Sequence, residues 1–249
     1  MRALVLPILA DNRAYLAVEG GDAVAVDPGE AAPVIEAARA SGATIRVVLL
    51  THGHADHTAG AAELRDRTGC AVVGPDECRP LGLDRVVGEG DLVGAGAMRF
   101  RVLSTPGHTR SHVCYHAPDA PAVWTGDTLF AGGCGRVVEG SAARMWDSLR
   151  RLRDLPPETG VCVGHDYTDD NLEFAATILP DDAPIRERLA HVRRRPEADR
   201  SAAATTIAVE RATNIFLRAD DPVVIQALGL RDADPAAVFA ELRRRKDAW

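Results

Sequence analysis

At 249 residues with 46% apolar side chains, the chain can bury a full core, as one large domain or a main domain with a smaller appendage. Its 29 basic and 36 acidic residues give a net charge of −7, which excludes a whole-molecule field that attracts nucleic acid. No apolar run approaches the ~20 residues that cross a bilayer and no basic leader with an apolar stretch precedes Asp11, so a soluble cytoplasmic protein without membrane partners is expected.

Along the chain, residues 3–9, 14–18 and 22–26 read as short strands separated by the Asp11-Asn12 and Gly20-Gly21 turns, and Asp27-Pro28-Gly29 closes the third. Residues 31–40 have the helical spacing of small apolar side chains, stopped by Ser41-Gly42. The apolar run 45–50 then completes a strand-helix-strand unit. A helix at 59–67 and strands at 71–74, 99–104, 112–116 and 122–125 continue the alternation, which points to a layered α/β architecture with mixed sheets. From about Asn171 the texture becomes helical and rich in arginine, at 185–195, 223–228 and 236–245. Asp221-Pro222 and Asp234-Pro235 each read as an N-cap followed by proline at the first helical position. The expected division is a catalytic domain over residues 1–170 and a smaller helical domain over residues 171–249. Five cysteines, an odd number without C-x-x-C pairing, indicate reduced thiols and no cysteine zinc site.

The most informative segment follows the strand at 45–50. Thr51-His52-Gly53-His54-Ala55-Asp56-His57 packs three imidazoles and a carboxylate into one turn, the ligands that zinc, iron and manganese take. A polar surface loop would explain isolated histidines, but it explains poorly an H-x-H-x-D-H order that ends a strand and leads into a helical pattern. Three later residues fit the same scheme: His108 in Thr105-Pro106-Gly107-His108, Asp127 in Thr125-Gly126-Asp127-Thr128, and His165 in Gly164-His165-Asp166. Each lies past an apolar strand with a glycine beside it, which suits loops gathered at one sheet edge. Singly, each would be an ordinary loop residue. With the first motif, a consistent allotment gives one ion His52, His54 and His108 and the other Asp56, His57 and His165, with Asp127 bridging both. His112 sits four residues after His108 on a strand and suits a supporting role, while His116 and His191 read as structural.

These residues resemble the metallo-β-lactamase superfamily, and within it the glyoxalase II (hydroxyacylglutathione hydrolase) family. The similarity runs from Leu4-Val5-Leu6-Pro7 nearly to the last residue. Its specific marks are Gly126-Asp127-Thr128-Leu129-Phe130, Gly133-Cys134-Gly135-Arg136, Glu139-Gly140, Gly164-His165-Asp166-Tyr167-Thr168, Asn171-Leu172 and Arg243-Arg244-Arg245-Lys246-Asp247. The resemblance implies a four-layer αβ/βα sandwich with a helical C-terminal domain and two divalent metal ions, zinc first and iron or manganese as alternatives. It also implies cleavage of the thioester S-D-lactoylglutathione to glutathione and D-lactate. Glutathione contacts carry over to Arg136, Tyr167, Arg243 and Lys246, beside the Cys134-Gly135 backbone; Asp56 and Asp127 would position the attacking hydroxide. Three positions depart from the family pattern: Gly53 where a third consecutive histidine is usual, Val138 where an aromatic is frequent, and Asp166 in place of glutamate.

The chemistry is coherent without the family. Water shared by two divalent ions has its pKa lowered from 15.7 toward ~7, and a thiolate, with a conjugate-acid pKa of about 8.5, leaves without a dedicated acid. By spacing alone, Arg243 to Lys246 is a solvated helix end; the resemblance turns it into a carboxylate-binding pair. Arg193 to Arg195 reads as a solvated helix face. The alternatives are another enzyme of this scaffold, such as a lactonase, a lactamase-like enzyme or a one-iron persulfide dioxygenase, and a non-enzymatic metal-binding protein. A full second ligand set argues against the one-iron enzyme. Oligomeric state is not legible, and a monomer is the default.

Overall fold

Three antiparallel strands, β1 (Arg2–Ile8), β2 (Asn12–Glu19) and β3 (Asp22–Val26), open the computed structural model, which describes residues 1–195 and 205–249. Helix α1 (Ala31–Ala40) then returns the chain for β4 (Thr44–Leu49), which pairs parallel to β3. The expected helix at 59–67 is α3 (Ala61–Thr68), preceded by a separate single turn, α2 (Ala55–Thr58), from which Gly60 parts it. Gly60 donates its N–H to Pro28 O at 2.9 Å, so the chain bends toward the end of β3 instead of continuing one helix. Strands β5 (Ala71–Gly74) and β6 (Arg85–Val86) complete a mixed six-stranded sheet.

The chain divides into two compact units, and these strands and helices belong to the first, together with residues 111–126 and 162–165. Its second sheet is antiparallel: β7 (Leu92–Val93), β8 (Phe100–Ser104), β9 (Val113–Ala117) and β10 (Ala122–Gly126). Strand alternation sorts the core. Ala14, Leu16, Ala23, Ala25 and Val48 face the apolar stripes of α1 and α3. Their neighbours Tyr15, Ala17, Val24, Val26 and Leu49 face Phe100, Tyr115 and Trp124 of the second sheet. Trp124 meets Phe100 and Tyr15 edge to face, at 5.1 and 6.5 Å between centroids.

The second unit comprises residues 105–110, 127–161 and 166–249. It contains the hairpin β11 (Leu129–Phe130) and β12 (Gly133–Cys134), then α4 (Ala142–Arg153), capped by the Ser141 hydroxyl. Strand β13 (Gly160–Val163) begins here and pairs its first two residues with β14 (Thr205–Thr206). The remaining helices are α5 (Thr168–Ile178), α6 (Ala183–Arg194), α7 (Ile207–Thr213), α8 (Pro222–Leu228) and α9 (Pro235–Asp247). The expected caps are in place: Asp221 accepts from Val223 N, and Asp234 from Ala236 N and Ala237 N. Among the described residues no helix is long and apolar enough to cross a membrane.

A buried ion pair anchors the hairpin. The Glu210 carboxylate, with no exposed surface, accepts from Arg188 Nη2 at 2.6 Å, Thr205 Oγ1 at 2.6 Å, Gly132 N at 2.8 Å and Asn214 Nδ2 at 2.9 Å. Asn214 in turn donates to Phe130 O and Gly133 O, so one carboxylate satisfies both the helices and the turn between β11 and β12. Removing it strands a buried guanidinium. Glu210→Ala is expected to destabilise the protein by about 3–5 kcal/mol in urea denaturation, whereas Glu63→Ala, breaking the exposed pair with Arg67, leaves the midpoint in place.

Candidate metal centre and adjoining cleft

The metal-type turn starts where β4 ends. Thr51 O accepts from Val113 N at 2.9 Å and Leu50 O from the Tyr115 hydroxyl at 2.7 Å, so the second sheet grips the turn's backbone. Asp27, in the left-handed region at φ 49° and 3% exposed, closes β3 beside it. Its Oδ1 accepts from Thr51 N at 2.8 Å, and its Oδ2 from Thr51 Oγ1 at 2.7 Å and from His57 Nδ1 at 3.1 Å. Because the Thr51 hydroxyl proton goes to Asp27, Thr51 Oγ1 is the acceptor for His52 Nδ1 at 3.0 Å. One carboxylate therefore fixes two imidazoles, with Nδ1 protonated and the Nε2 lone pair outward in each.

His165 arrives from the far end of the sequence. Gly164 donates to Gly126 O at 3.0 Å, and Gly164 O accepts from Arg13 N at 2.8 Å, which lays residues 162–165 beside β2. His165 Nδ1 donates to Asp11 Oδ1 at 2.8 Å, which again leaves Nε2 with its lone pair. That Nε2 lies 3.2 Å from His57 Nε2 and 3.3 Å from Asp56 Oδ2, and His57 Nε2 lies 3.5 Å from the same oxygen. Ligands at ~2.0–2.1 Å on a tetrahedral ion sit about 3.3 Å apart, which is this triangle. Two imidazole lone pairs and a carboxylate oxygen at that spacing repel one another without a cation between them, so the donors fit a divalent ion. Asn12 Nδ2 holds Asp56 Oδ2 at 2.8 Å. Partial burial raises the Asp56 carboxyl, and the Asn12 hydrogen bond acts against it to bring it below its ordinary value.

In the same unit, His52 lies fully buried, 4.7 Å from the His54 ring and stacked at 5.0 Å on His112. A side chain at Gly126, where φ is 44°, would meet Thr51 Oγ1 at 2.3 Å and His112 Nε2 at 2.8 Å, so only glycine fits under this histidine pair. Glu77 holds the turn from outside, accepting from Gly53 N at 2.9 Å and Ser111 N at 3.0 Å.

The second unit carries the other two expected ligands. His108 Nδ1 donates to Arg136 O at 2.8 Å, turning Nε2 toward Asp127 Oδ2 at 3.4 Å. Again a lone pair faces a carboxylate. A Cβ at Gly135 would lie 1.9 Å from Asp127 O, so this approach requires glycine. His108 and Asp127 border a cleft of about 610 Å³ whose wall includes Arg136, Tyr167, Asp170, Arg243, Lys246 and Asp247. All four expected substrate contacts are in that wall. Tyr167 rests edge-on against Phe130 at 5.5 Å. Arg243 Nη1 donates to Cys134 O at 3.0 Å, and its Nε and Nη2 to Asp247 Oδ1, both at 3.0 Å. Burial pushes the Cys134 thiol up to about 11, against the pull of Arg243, so it is not a nucleophile at neutral pH. Burial likewise lowers the Lys246 ammonium, against the pull of Asp170.

Sequence reasoning missed Asp11, Asn12 and Asp27 as orienting groups, reading them as turn formers, although the two aspartates lie just past apolar strands like the expected ligands. Asp11→Ala is expected to weaken divalent-ion affinity ~10–100-fold in competition with a chromophoric chelator, without moving the thermal midpoint of metal-stripped protein.

The chain matches two family profiles in succession: the metallo-beta-lactamase superfamily over residues 11–165 and the hydroxyacylglutathione hydrolase C-terminus over residues 166–249. A hydroxyacylglutathione hydrolase from Cereibacter sphaeroides is 44% identical over 253 residues, covering 100% of this chain and 99% of that one. Among solved structures, ETHE1 from Myxococcus xanthus is similar at a TM-score of 0.66 and 28% identity, covering 100% of this chain and 99% of its own. TTHA1623 in a di-iron-bound form has a TM-score of 0.62 and 27% identity, over 87% of this chain and 100% of its own. The fold, the two successive profiles and the full-length relative together make this chain a member of the hydroxyacylglutathione hydrolase family of the metallo-β-lactamase superfamily.

Proposed function

We propose that the protein is a metal-dependent thioesterase that hydrolyses S-(2-hydroxyacyl)glutathione, with S-D-lactoylglutathione as substrate and glutathione and D-lactate as products. The observation that carries this reading is the cleft of the second unit, where two metal-type side chains, His108 and Asp127, and a group of cations, Arg136, Arg243 and Lys246, border one space. A carboxylate-bearing carrier with a hydrolysable bond is the substrate such a wall suits. The family membership supports the same bond and carrier.

In this reading His52, His54 and His108 hold one divalent ion and Asp56, His57 and His165 the other, with Asp127 shared. When bound, the ions make a water acidic enough to ionise near pH 7 and polarise the thioester carbonyl. The chain's own contribution is orientation. Asp27, through Thr51 and directly, holds His52 and His57 with Nε2 forward; Asp11 does the same for His165, and the Arg136 carbonyl for His108. Asp56, steadied by Asn12, and Asp127 direct the attacking water. Arg136, Tyr167, Arg243 and Lys246 receive the glutathione moiety, and the thiolate departs without an acid. Residues 1–170 thus supply the ligands for both ions together with Arg136 and Tyr167, and residues 171–249 add Arg243 and Lys246 to the carboxylate-binding wall. Zinc is the proposed metal, and the free thiols suit a cytoplasmic setting.

Metal-replete protein is expected to cleave S-D-lactoylglutathione in a steady-state assay, and Asp127→Ala to lower kcat/KM by roughly 10²–10³-fold or more. Cleavage by the wild type no faster than by the variant would remove the glutathione assignment. Dialysis against a strong chelator is expected to abolish the activity, and stoichiometric zinc, iron or manganese to restore it, each to its own level.

A further inference from the structure

The cations assigned to the substrate are engaged with carboxylates of the protein itself. Lys246 is 8% exposed, and its ammonium donates to Asp170 O at 3.1 Å and to Asp170 Oδ2. The Trp249 and Phe174 rings cover it further, at 4.1 and 5.3 Å from Nζ to the centroids. Two of its three N–H donors are spent on one residue, and aromatic faces occupy much of the remaining approach. Arg243, 9% exposed, is bound to Asp247 and Cys134 in the same manner. Arg136 is the contrast, 79% exposed and no nearer than 4.0 Å to Asp247. An incoming carboxylate therefore finds Arg136 at once but reaches Lys246 only by displacing Asp170.

We propose that Asp170 is a specificity-determining residue of the cleft, whose carboxylate competes with a substrate carboxylate for the Lys246 ammonium and so sets the affinity for the carrier. This rests on the thioesterase reading above and names one residue that tunes it. The two interactions of Asp170 with Lys246 have separable consequences. Its main-chain carbonyl and the two rings hold the lysine in place whatever the side chain at 170. The carboxylate, 58% exposed on the first turn of α5, adds charge neutralisation and can swing out to water. Replacing it with an amide keeps the lysine where it is and leaves its charge to the substrate.

The test compares wild type, Asp170→Asn and Asp170→Glu in two measurements: KM and kcat for S-D-lactoylglutathione, and calorimetric binding of glutathione and of glutathione amidated at its glycine carboxylate. Asp170→Asn is expected to lower KM and the glutathione Kd roughly two- to five-fold with kcat unchanged, the range of a partly exposed ion pair, and to narrow that gap at high salt. Asp170→Glu should stay near the wild type, and the amidated tripeptide should gain nothing from the asparagine. An unchanged or raised KM and Kd in Asp170→Asn would overturn the proposal, since it would make the carboxylate a support for Lys246 instead of its competitor. The two readings fail separately. Tighter glutathione binding by Asp170→Asn in a protein that cleaves no thioester would sink the thioesterase reading alone, and normal cleavage with no change in KM would sink only this one.

Discussion

A single buried carboxylate sets the geometry on which the metal-type turn depends. Asp27 receives the Thr51 amide, the Thr51 hydroxyl and the His57 imidazole, and through that hydroxyl it also orders His52. The three bonds that reach Asp27 itself end on a carboxylate with 3% exposure, where such bonds are strong and an unmet partner is costly. The order of events is physical. The parallel pairing of β3 and β4 brings their C-terminal ends side by side, Val26 opposite Leu49, so the residue after one strand can bond the residues after the other. The left-handed backbone at Asp27 then aims the carboxylate across.

The same device recurs with different acceptors. His165 is turned by the Asp11 carboxylate and His108 by the Arg136 carbonyl, and in each the Nδ1 hydrogen bond leaves the lone pair on Nε2. The chain therefore holds its imidazoles in one tautomer before any ion arrives, and that lowers the entropy lost on binding. The cost is electrostatic. Lone pairs and a carboxylate oxygen 3.2–3.5 Å apart at Asp56, His57 and His165 repel one another, and that spacing suits a divalent ion among them.

In the cleft the balance is reversed. Three cations, Arg136, Arg243 and Lys246, share the wall with the carboxylates of Asp127, Asp170 and Asp247, and Asp170 and Asp247 pair with Lys246 and Arg243. Largely covered and each paired with a carboxylate, Arg243 and Lys246 stay in fixed positions against Phe216, Phe174 and Trp249 at the expense of immediate availability. Exposed Arg136 is available but less fixed. Glu210 lies behind this wall, with a carboxylate shared among Arg188, Thr205, Gly132 and Asn214. It secures the β11–β12 hairpin that presents Cys134 and, just beyond it, Gly135 and Arg136. Stability and recognition meet at that hairpin.

What was legible in the sequence was local. Alternation set β2 to β5, caps and prolines set α8 and α9, and the H-x-H-x-D-H turn marked a group of metal-type side chains, because each signal spans fewer than about ten residues and expresses a backbone period or a short loop. The helix expected at 59–67 formed at Ala61–Thr68, but the single turn before it was not expected; it ends where Gly60 bonds to Pro28, a partner that no helical period contains. Helix α4, capped by Ser141 and carrying a helical stripe of Met145, Leu149 and Leu152 opposite its arginines, lay outside the expected elements although its period is a local one. The sequence by itself thus determined which metal-type and cationic side chains are candidates for the chemistry and that strands end beside the metal-type ones. Only the tertiary structure decided which carboxylate serves which cation or imidazole. Asp11 meets His165 across 154 positions and Asp170 meets Lys246 across 76. Such pairings follow from how sheets and helices bring distant loops together, and one-dimensional spacing carries no record of that.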